Sequence, residues 1–335
     1  MTRLQESVAR VAEEHGFSGV VRVDRAGRPE LADAYGLAER GFRRANTLDT
    51  QFAIASGCKG FTALTVMCLV DEGRLDLTTT ARSVLGDDLP EIDDRVTVEQ
   101  LLAHRSGIGD YIDEEADLAI TDYVMSVPVH ELAITEGYLP ALAGHAAKFA
   151  PGQQFSYCNS GYVVLALIAE RVAGTPFHDL VNERVCLPAG MHDTAFLRSD
   201  ELPARAARGY LQAEGLRTNV LHLPVRGSGD GGIYTTVSDV HAFWQALFAG
   251  RIVSPHQLAD MLRARSDLLE WKRRYGLGFW LYATGNAVRL TGSDAGVSFQ
   301  SVHDPDRDLT WTVMANTSEG AWDVADHLGE ALADR

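Results

Sequence analysis

The chain has 335 residues, of which 46% are hydrophobic and 23% charged, and its formal net charge is −16. A chain of this length can form two domains of ordinary size around a substantial core. Because so acidic a protein repels phosphate backbones and anionic lipids, we expect no nucleic-acid partner and no membrane partner.

The predicted elements begin with an amphipathic helix over residues 1–14, which does not resemble a signal peptide, so we expect a cytoplasmic protein. A hairpin follows over residues 19–36, with its turn at Arg25-Ala-Gly27. A short strand over 51–54 then leads into a long apolar helix. That helix is expected to end at Gly73, because glycine is favoured just after a helix C-terminus.

The middle of the chain, from about residue 75 to 205, reads as helices separated by loops. Two of the helices are predicted over 162–172 and 176–185. The acidic segment 110–123 is expected to be exposed. The four cysteines form no Cys-x-x-Cys pair, so we expect them to be reduced and packed, and the eleven histidines show no metal-ligand spacing. We therefore expect neither a metal nor a cofactor.

The last third has strand character over 275–282, 288–290, 297–303 and 310–315, and a final helix is predicted over 321–334. Strands at both ends and helices between them predict an α/β fold of the α+β type, with a mostly antiparallel sheet flanked by helices. We expect one α/β domain from residues 1–74 and 206–335 and a mainly helical inserted domain from 75–205. The active site is expected in the cleft between them.

A serine and a lysine stand three residues apart at the head of the long apolar helix, in Ser56-Gly-Cys-Lys59. Residues i and i+3 share a helix face, so the amine is expected near the hydroxyl. A serine hydroxyl is a weak nucleophile until a base removes its proton, and lysine becomes such a base when burial lowers its pKa. Only three of the 30 basic residues are lysines, and arginine cannot give up its proton. The alternative is a surface lysine on a half-buried helix, since a serine and a lysine three residues apart often occur by chance.

Further motifs follow this pair in a recognisable order. They are Tyr157-Cys-Asn159, a Thr291-Gly292 pair near a late strand, and the segment that starts at His104-Arg-Ser-Gly. Together they resemble the serine β-lactamase and penicillin-binding-protein superfamily, and most closely its class C-like branch of esterases, D-amino-acid peptidases and acyltransferases. The resemblance extends over about residues 5–330.

The resemblance implies roles for individual residues. Ser56 would be the nucleophile that forms an acyl-enzyme, and Lys59 would help to take its proton. Tyr157 would be the partner base and acid, with a pKa lowered by the nearby cation. Asn159 would orient Lys59 or the substrate amide. His104 and Ser106 are expected to stabilise a loop, and the alternative for Tyr157 and Asn159 is that they are turn residues after Pro151-Gly152.

The third motif departs from the family pattern, because Leu290 stands where the family carries a basic residue before Thr291 and Gly292. Leucine cannot pair with a substrate carboxylate. Arg289 is a poor substitute because neighbours on a strand point to opposite faces. The resemblance places Leu290, Thr291, Gly292 and Ser293 in the substrate site. The backbone amides of Ser293 and Ser56 would form an oxyanion hole, which needs no side chain.

These observations predict a serine hydrolase that acts without a cofactor on a small ester. The second hypothesis is an amidase or D-amino-acid peptidase, with or without weak β-lactam hydrolysis. A third is acyl transfer to a small alcohol or amine. A binding protein that keeps the scaffold but has lost turnover is the rival from another class, favoured by Leu290 and opposed by Ser56, Lys59 and Tyr157. The oligomeric state is left open.

Overall fold

The structure, a computed structural model, describes residues 2–114 and 119–333, apart from the side chain of Leu269. Within these ranges the strands are β1 (Gly19–Arg25), β2 (Arg28–Tyr35), β3 (Leu37–Glu39), β4 (Arg44–Ala45), β5 (Phe52–Ala53), β6 (Tyr234–Thr235), β7 (Ser266–Leu268), β8 (Arg273–Tyr275), β9 (Trp280–Tyr282), β10 (Val288–Asp294), β11 (Val297–Asp304) and β12 (Leu309–Ala315). Eight of them form one antiparallel sheet in the order β2-β1-β12-β11-β10-β9-β8-β7, and β3-β4 and β5-β6 form small pairs.

The helices surround this sheet. Within the same ranges they are α1 (Arg3–Glu14), α2 (Lys59–Asp71), α3 (Ala81–Leu85), α4 (Val98–Leu102), α5 (Leu139–Leu142), α6 (Asn159–Ala173), α7 (Phe177–Val181), α8 (Leu187–Ala189), α9 (Val237–Phe248), α10 (Pro255–Met261) and α11 (Trp322–Ala333). Single turns of 3₁₀-helix lie at Ala55–Cys58, Val129–Glu131, Thr135–Tyr138 and Leu269–Trp271, and a π turn lies at Asn182–Cys186.

Side-chain alternation along β12 shows how both faces of the sheet are covered. Trp311 and Val313 pack into an apolar cluster with α1 and α11, whereas Met314 belongs to the larger cluster that contains α2, α6 and α9. Successive residues of a strand point to opposite faces, so one strand contributes to both cores. The predicted fold class is therefore confirmed: a mostly antiparallel sheet, built from both ends of the chain, is flanked by helices. The predicted domain limits stay a prediction.

Helix α2 is buried on all sides, and every residue from Lys59 to Leu69 lies in the interior. A helix that is apolar all round is typical of a buried core element. Lys59 is only 2% exposed within it. The sequence-based alternative of a surface lysine is therefore wrong, and the amine lies where only a functional or paired role accounts for it.

Two predictions about local structure need correction. Strand β7 was not expected, and the acidic segment 110–123 is not uniformly exposed, because Asp110 and Tyr111 are buried. Residues 115–118 of that segment lie outside the described residues. The four cysteines are buried and free, as expected. None of the described helices has the length and apolar character that crossing a bilayer requires.

Candidate active site

Ser56 lies in the 3₁₀ turn that precedes α2. Ala55, just before it, has φ of 44°, in the left-handed region that costs a non-glycine residue about 1 kcal/mol. Side chains at i and i+3 eclipse each other in a 3₁₀ turn. This geometry brings Lys59 over Ser56, and Nζ lies 2.9 Å from Oγ. The predicted proximity of the pair is confirmed, through a tighter turn than the α-helix expected.

Lys59 is held by residues from two distant parts of the chain. Its Nζ donates to Asn159 Oδ1 at 2.7 Å and to the main-chain oxygen of Asp230 at 2.8 Å. The ring of Tyr157 lies 4.8 Å from the same nitrogen. These contacts fix the position of Nζ beside Ser56. The Tyr157-Cys-Asn159 motif thus meets the Ser56–Lys59 pair in space.

The hydroxyl of Tyr157 interacts with the side chain of Ser56. Burial raises the pKa of Tyr157 well above its usual value and the carboxylate of Glu114 raises it further, while the interaction with Ser56 opposes both. The expected lowering of this pKa by Lys59 is therefore wrong for the free protein. A phenol in this setting keeps its proton, so Tyr157 is suited to donate one.

His104 supports Tyr157 from behind. Its Nδ1 accepts the backbone N–H of Cys158 at 3.0 Å, and its ring centroid lies 4.3 Å from that of Tyr157. Burial, together with the charge of Lys59, holds the pKa of His104 well below its usual value, so the ring is neutral and its nitrogen is free to accept. This contact agrees with the expected role of His104 as a loop-stabilising residue.

Asn159 is fixed by carboxylates on both its main chain and its side chain. Asp110 accepts the backbone N–H groups of Asn159 at 2.7 Å and Ser160 at 2.8 Å, which caps the start of α6. Burial raises the pKa of Asp110 to about 6, although these two hydrogen bonds act in the opposite direction. The Asn159 amide also donates to Glu114 Oε1 at 3.1 Å. The amide oxygen is thereby turned toward Lys59.

Strand β10 carries the third motif past Ser56. Leu290 is 3% exposed and packs in the core against Gly60 of α2, so its placement does not support the expected contact with substrate. Arg289 lies on the other face of the strand and donates to Gln300, as the alternation predicts. Burial and nearby Arg273 lower the pKa of Arg289 to about 10. Neither residue supplies a cation to the site.

Gly292 is the point of closest approach between β10 and the nucleophile turn. A Cβ added there would lie 2.7 Å from the Ser56 amide nitrogen and 2.2 Å from the oxygen of Ile54. Only glycine permits such contact without displacement of the backbone. The absence of a side chain therefore allows β10 to pass directly beside the backbone of the turn that carries Ser56.

Gly292→Ala is expected to lower kcat/KM for any substrate about tenfold to a hundredfold, because a shift of about 1 Å in catalytic geometry costs that much. The activity of purified protein, compared at equal folded fraction by circular dichroism, measures the effect. Gly329→Ala in α11 is the matched control, since nothing lies within 4 Å of a Cβ there. Unchanged activity in Gly292→Ala would show that the close approach of β10 to the Ser56 turn does not matter for activity.

Two open spaces meet at Ser56. A cavity of about 270 Å³, here called the Asn159 cavity, is lined by Ser56, Asn159, Asp230, Ser293 and Asp294 among others. A second cavity of about 200 Å³ is lined by Ser56, Tyr157, Thr291, Gly292 and Ser293, with three tryptophans. All of the predicted site residues except Lys59 and Leu290 therefore line one of these two cavities. Lys59 contacts Ser56 directly.

Several residues around the site were not predicted from the sequence. Asp230, which holds Lys59 by its main-chain oxygen, lies in the glycine-rich segment Gly227-Ser-Gly-Asp-Gly-Gly232. A Cβ at Gly229 would lie 2.0 Å from the Tyr162 oxygen, so this segment passes close against α6. Clustered glycines are a sign of such close approach. No local signal marked Glu114.

Comparison with known proteins gives a consistent result over the whole chain. A model of the family described as Beta-lactamase matches residues 4–333. The chain is 28% identical to penicillin-binding protein 4* of Bacillus subtilis and 31% identical to a D-aminopeptidase of Brucella anthropi, over 94% and 92% of its own length. It spans 72% and 58% of the length of these two relatives.

Solved structures agree with this comparison. The structure of a penicillin binding protein from Bacillus halodurans is 33% identical, covers 97% of this chain and 99% of its own, and superposes with a TM-score of 0.89. A D-amino acid amidase from Ochrobactrum anthropi, at 24% identity and a TM-score of 0.80, shares the fold. The chain therefore belongs to the Beta-lactamase family, within the serine β-lactamase and penicillin-binding-protein superfamily of serine hydrolases.

Proposed function

We propose that this protein hydrolyses small esters through an acyl-enzyme on Ser56. The observation that carries the proposal is the 2.9 Å separation of Lys59 Nζ and Ser56 Oγ. Asn159 Oδ1 and the Asp230 oxygen accept two N–H groups of Lys59. The third position on Nζ faces Ser56 Oγ, so the amine, once it has lost a proton, can accept the Ser56 proton there.

The proton path follows from the site. Lys59 takes the proton as Ser56 Oγ bonds to the substrate carbonyl carbon, and the amides of Ser56 and Ser293 stabilise the negative oxygen. Tyr157, whose raised pKa keeps it protonated, gives its proton to the leaving oxygen and recovers one from Lys59. Water then attacks the acyl-enzyme with the same proton transfers, and the acid is released from Ser56. One ester and one water give one acid and one alcohol.

An ester is the first choice because neither Leu290, at the position of the family's basic residue, nor its neighbour Arg289 offers a cation to a peptide or β-lactam carboxylate. Leu290 is buried and Arg289 faces away. The second candidate is an amidase or D-amino-acid peptidase, which the 31% identity to a D-aminopeptidase favours. A protonated Tyr157 serves that reaction too, since an amine must be protonated to leave.

A substrate panel tests the proposal. Wild type and Ser56→Ala are compared on p-nitrophenyl esters of two to eight carbons, D-aminoacyl anilides and nitrocefin. We expect Ser56-dependent turnover of the short esters and little of nitrocefin. Turnover of D-aminoacyl anilides above that of the esters would favour the second candidate. Faster product release on adding methanol or hydroxylamine would indicate acyl transfer.

Tyr157→Phe is expected to lower kcat about a hundredfold or more for esters of poorly leaving alcohols, since a general acid contributes about that factor. For p-nitrophenyl esters, whose leaving group needs no proton, the loss should be several times smaller. Rates of methyl and p-nitrophenyl esters of one acid measure the difference. An equal loss for both esters would contradict the role of Tyr157 as the acid.

A further inference from the structure

An aromatic depression adjoins Ser56 on its Tyr157 side. The 200 Å³ cavity shares Glu114, Tyr157 and Trp271 with an open cavity of about 660 Å³. We call the two together the tryptophan trough. Its aromatic walls are Phe155, Tyr157, Trp271, Trp280 and Trp322.

The aromatic side chains of the trough form an ordered array. Trp280 stacks on Tyr157 with ring centroids 6.2 Å apart and planes 14° apart, and Trp271 lies 6.2 Å from Trp280. Trp271 also meets Phe155 edge to face at 6.5 Å. Trp271 is nevertheless 56% exposed. Rigid aromatic surface left in water beside a nucleophile favours an apolar or aromatic ligand.

The charges of the trough have one sign. Glu114, Asp267 and Glu270 line it, and no Lys, Arg or His of the described residues does. No basic nitrogen of the described part of the chain lies within 4 Å of these carboxylates. An anion is repelled by such a wall, while a cation is attracted by both the carboxylates and the indole faces.

The position of Tyr157 identifies which half of a substrate the trough receives. Tyr157 lines both cavities of the trough, whereas Asn159 lines the opposite Asn159 cavity. The group that accepts the proton of Tyr157 is the leaving group, so it lies on the trough side. The acyl group then occupies the Asn159 cavity.

We propose that the tryptophan trough is a leaving-group subsite for an aromatic alcohol or amine that carries a positive charge. This inference rests on the proposed function for the direction of the reaction. In the acylation step the Ser56 Oγ–carbon bond forms and the bond from that carbon to the leaving oxygen or nitrogen breaks. The proton lost by Ser56 to Lys59 replaces the one that Tyr157 gives to the leaving atom, so no other reactant is needed.

Three benzyl acetates that differ in the charge of the para substituent test the charge preference. They are the acetates of 4-(trimethylammoniomethyl)benzyl alcohol, 4-tert-butylbenzyl alcohol and 4-(hydroxymethyl)benzoate. We expect kcat/KM to fall in that order, with the cation about tenfold or more above the anion. The double variant Asp267→Asn with Glu270→Gln should reduce the differences in kcat/KM among the three esters. Glu13→Gln with Glu14→Gln, exposed at the end of α1, makes the same change in net charge and should leave it intact.

Trp271→Ala tests the aromatic wall. It should lower kcat/KM for the cationic benzyl ester about fivefold or more and leave methyl acetate nearly unchanged, because methyl acetate does not reach the wall. Phe42→Ala, at a side chain 90% exposed, is the matched aromatic control. An equal loss for methyl acetate would show that Trp271 acts on the fold and not on the leaving group.

A binding measurement separates this inference from the proposed function. Calorimetry with Ser56→Ala compares benzyltrimethylammonium with benzoate, and we expect binding of the cation that Trp271→Ala weakens about fivefold. Binding of the cation without turnover of any ester would reject the hydrolase and keep the subsite. Turnover of all three benzyl esters at equal kcat/KM, or tighter binding of benzoate, would reject the subsite and keep the hydrolase.

Discussion

Ser56→Ala is expected to lower kcat at least about ten-thousandfold on every ester that the wild type hydrolyses. In the proposed mechanism the Ser56 hydroxyl bonds to the substrate carbon, and removal of a serine nucleophile has an effect of that size. A fluorophosphonate reagent provides a second readout, since it adds its mass to a reactive serine. Intact-protein mass spectrometry should show one adduct on the wild type and none on Ser56→Ala.

Ser293→Ala is the matched control for this prediction. The proposed role of Ser293 uses its backbone amide, which alanine keeps, so labelling at Ser56 should persist. Labelling of Ser56→Ala at the wild-type rate would place the nucleophile elsewhere. Absence of labelling and turnover in the wild type would favour the rival interpretation, a binding protein that has kept the scaffold.

Lys59→Arg is expected to lower kcat about a thousandfold or more. Arginine keeps the positive charge but cannot give up a proton, so it cannot act as the base. Its planar group also cannot reproduce the contacts with Ser56, Asn159 and Asp230, which lie at 2.9, 2.7 and 2.8 Å. Pre-steady-state release of p-nitrophenol measures the acylation step directly.

Lys272→Arg, at an exposed lysine outside the site, is the control for the same chemical change. A Lys59→Arg protein that keeps its acylation rate would show that the amine is needed only for its charge. A folded protein is required for the comparison, because Lys59 is buried and arginine is larger. Lys59→Met, which is close in size, provides a second variant if arginine unfolds the chain.

The residues of the reaction could be predicted from their types and their local spacing. Ser56 and Lys59 are three apart, and any helical turn brings such residues together. Lysine in place of the prevalent arginine indicated a group able to exchange a proton. The alternation of side chains along a strand also depends only on neighbours in the chain. The strands near both termini, and with them the mixed fold, could therefore be predicted.

The environment of these residues could not be predicted in this way. The lowered pKa expected for Tyr157 was wrong because burial and the carboxylate of Glu114, 43 residues away along the chain, raise it more than the interaction with Ser56 lowers it. The expected exposure of Asp110 was wrong because its carboxylate caps α6 from a distant loop. How deeply a side chain is buried, and how close a remote segment comes to it, depend on how the whole chain packs.

By itself, the amino-acid sequence determined which chemical groups this protein offers for the proposed reaction and that Ser56 and Lys59 are neighbours. Only the tertiary structure decided what surrounds them: Asp230 and Asn159 on Lys59, a phenol that holds its proton, and a depression beside Ser56 walled by tryptophans and carboxylates. The physical reason is that reactivity and selectivity depend on electrostatic and apolar contacts within a few ångströms. Residues 100 or more positions apart in the chain make most of those contacts here.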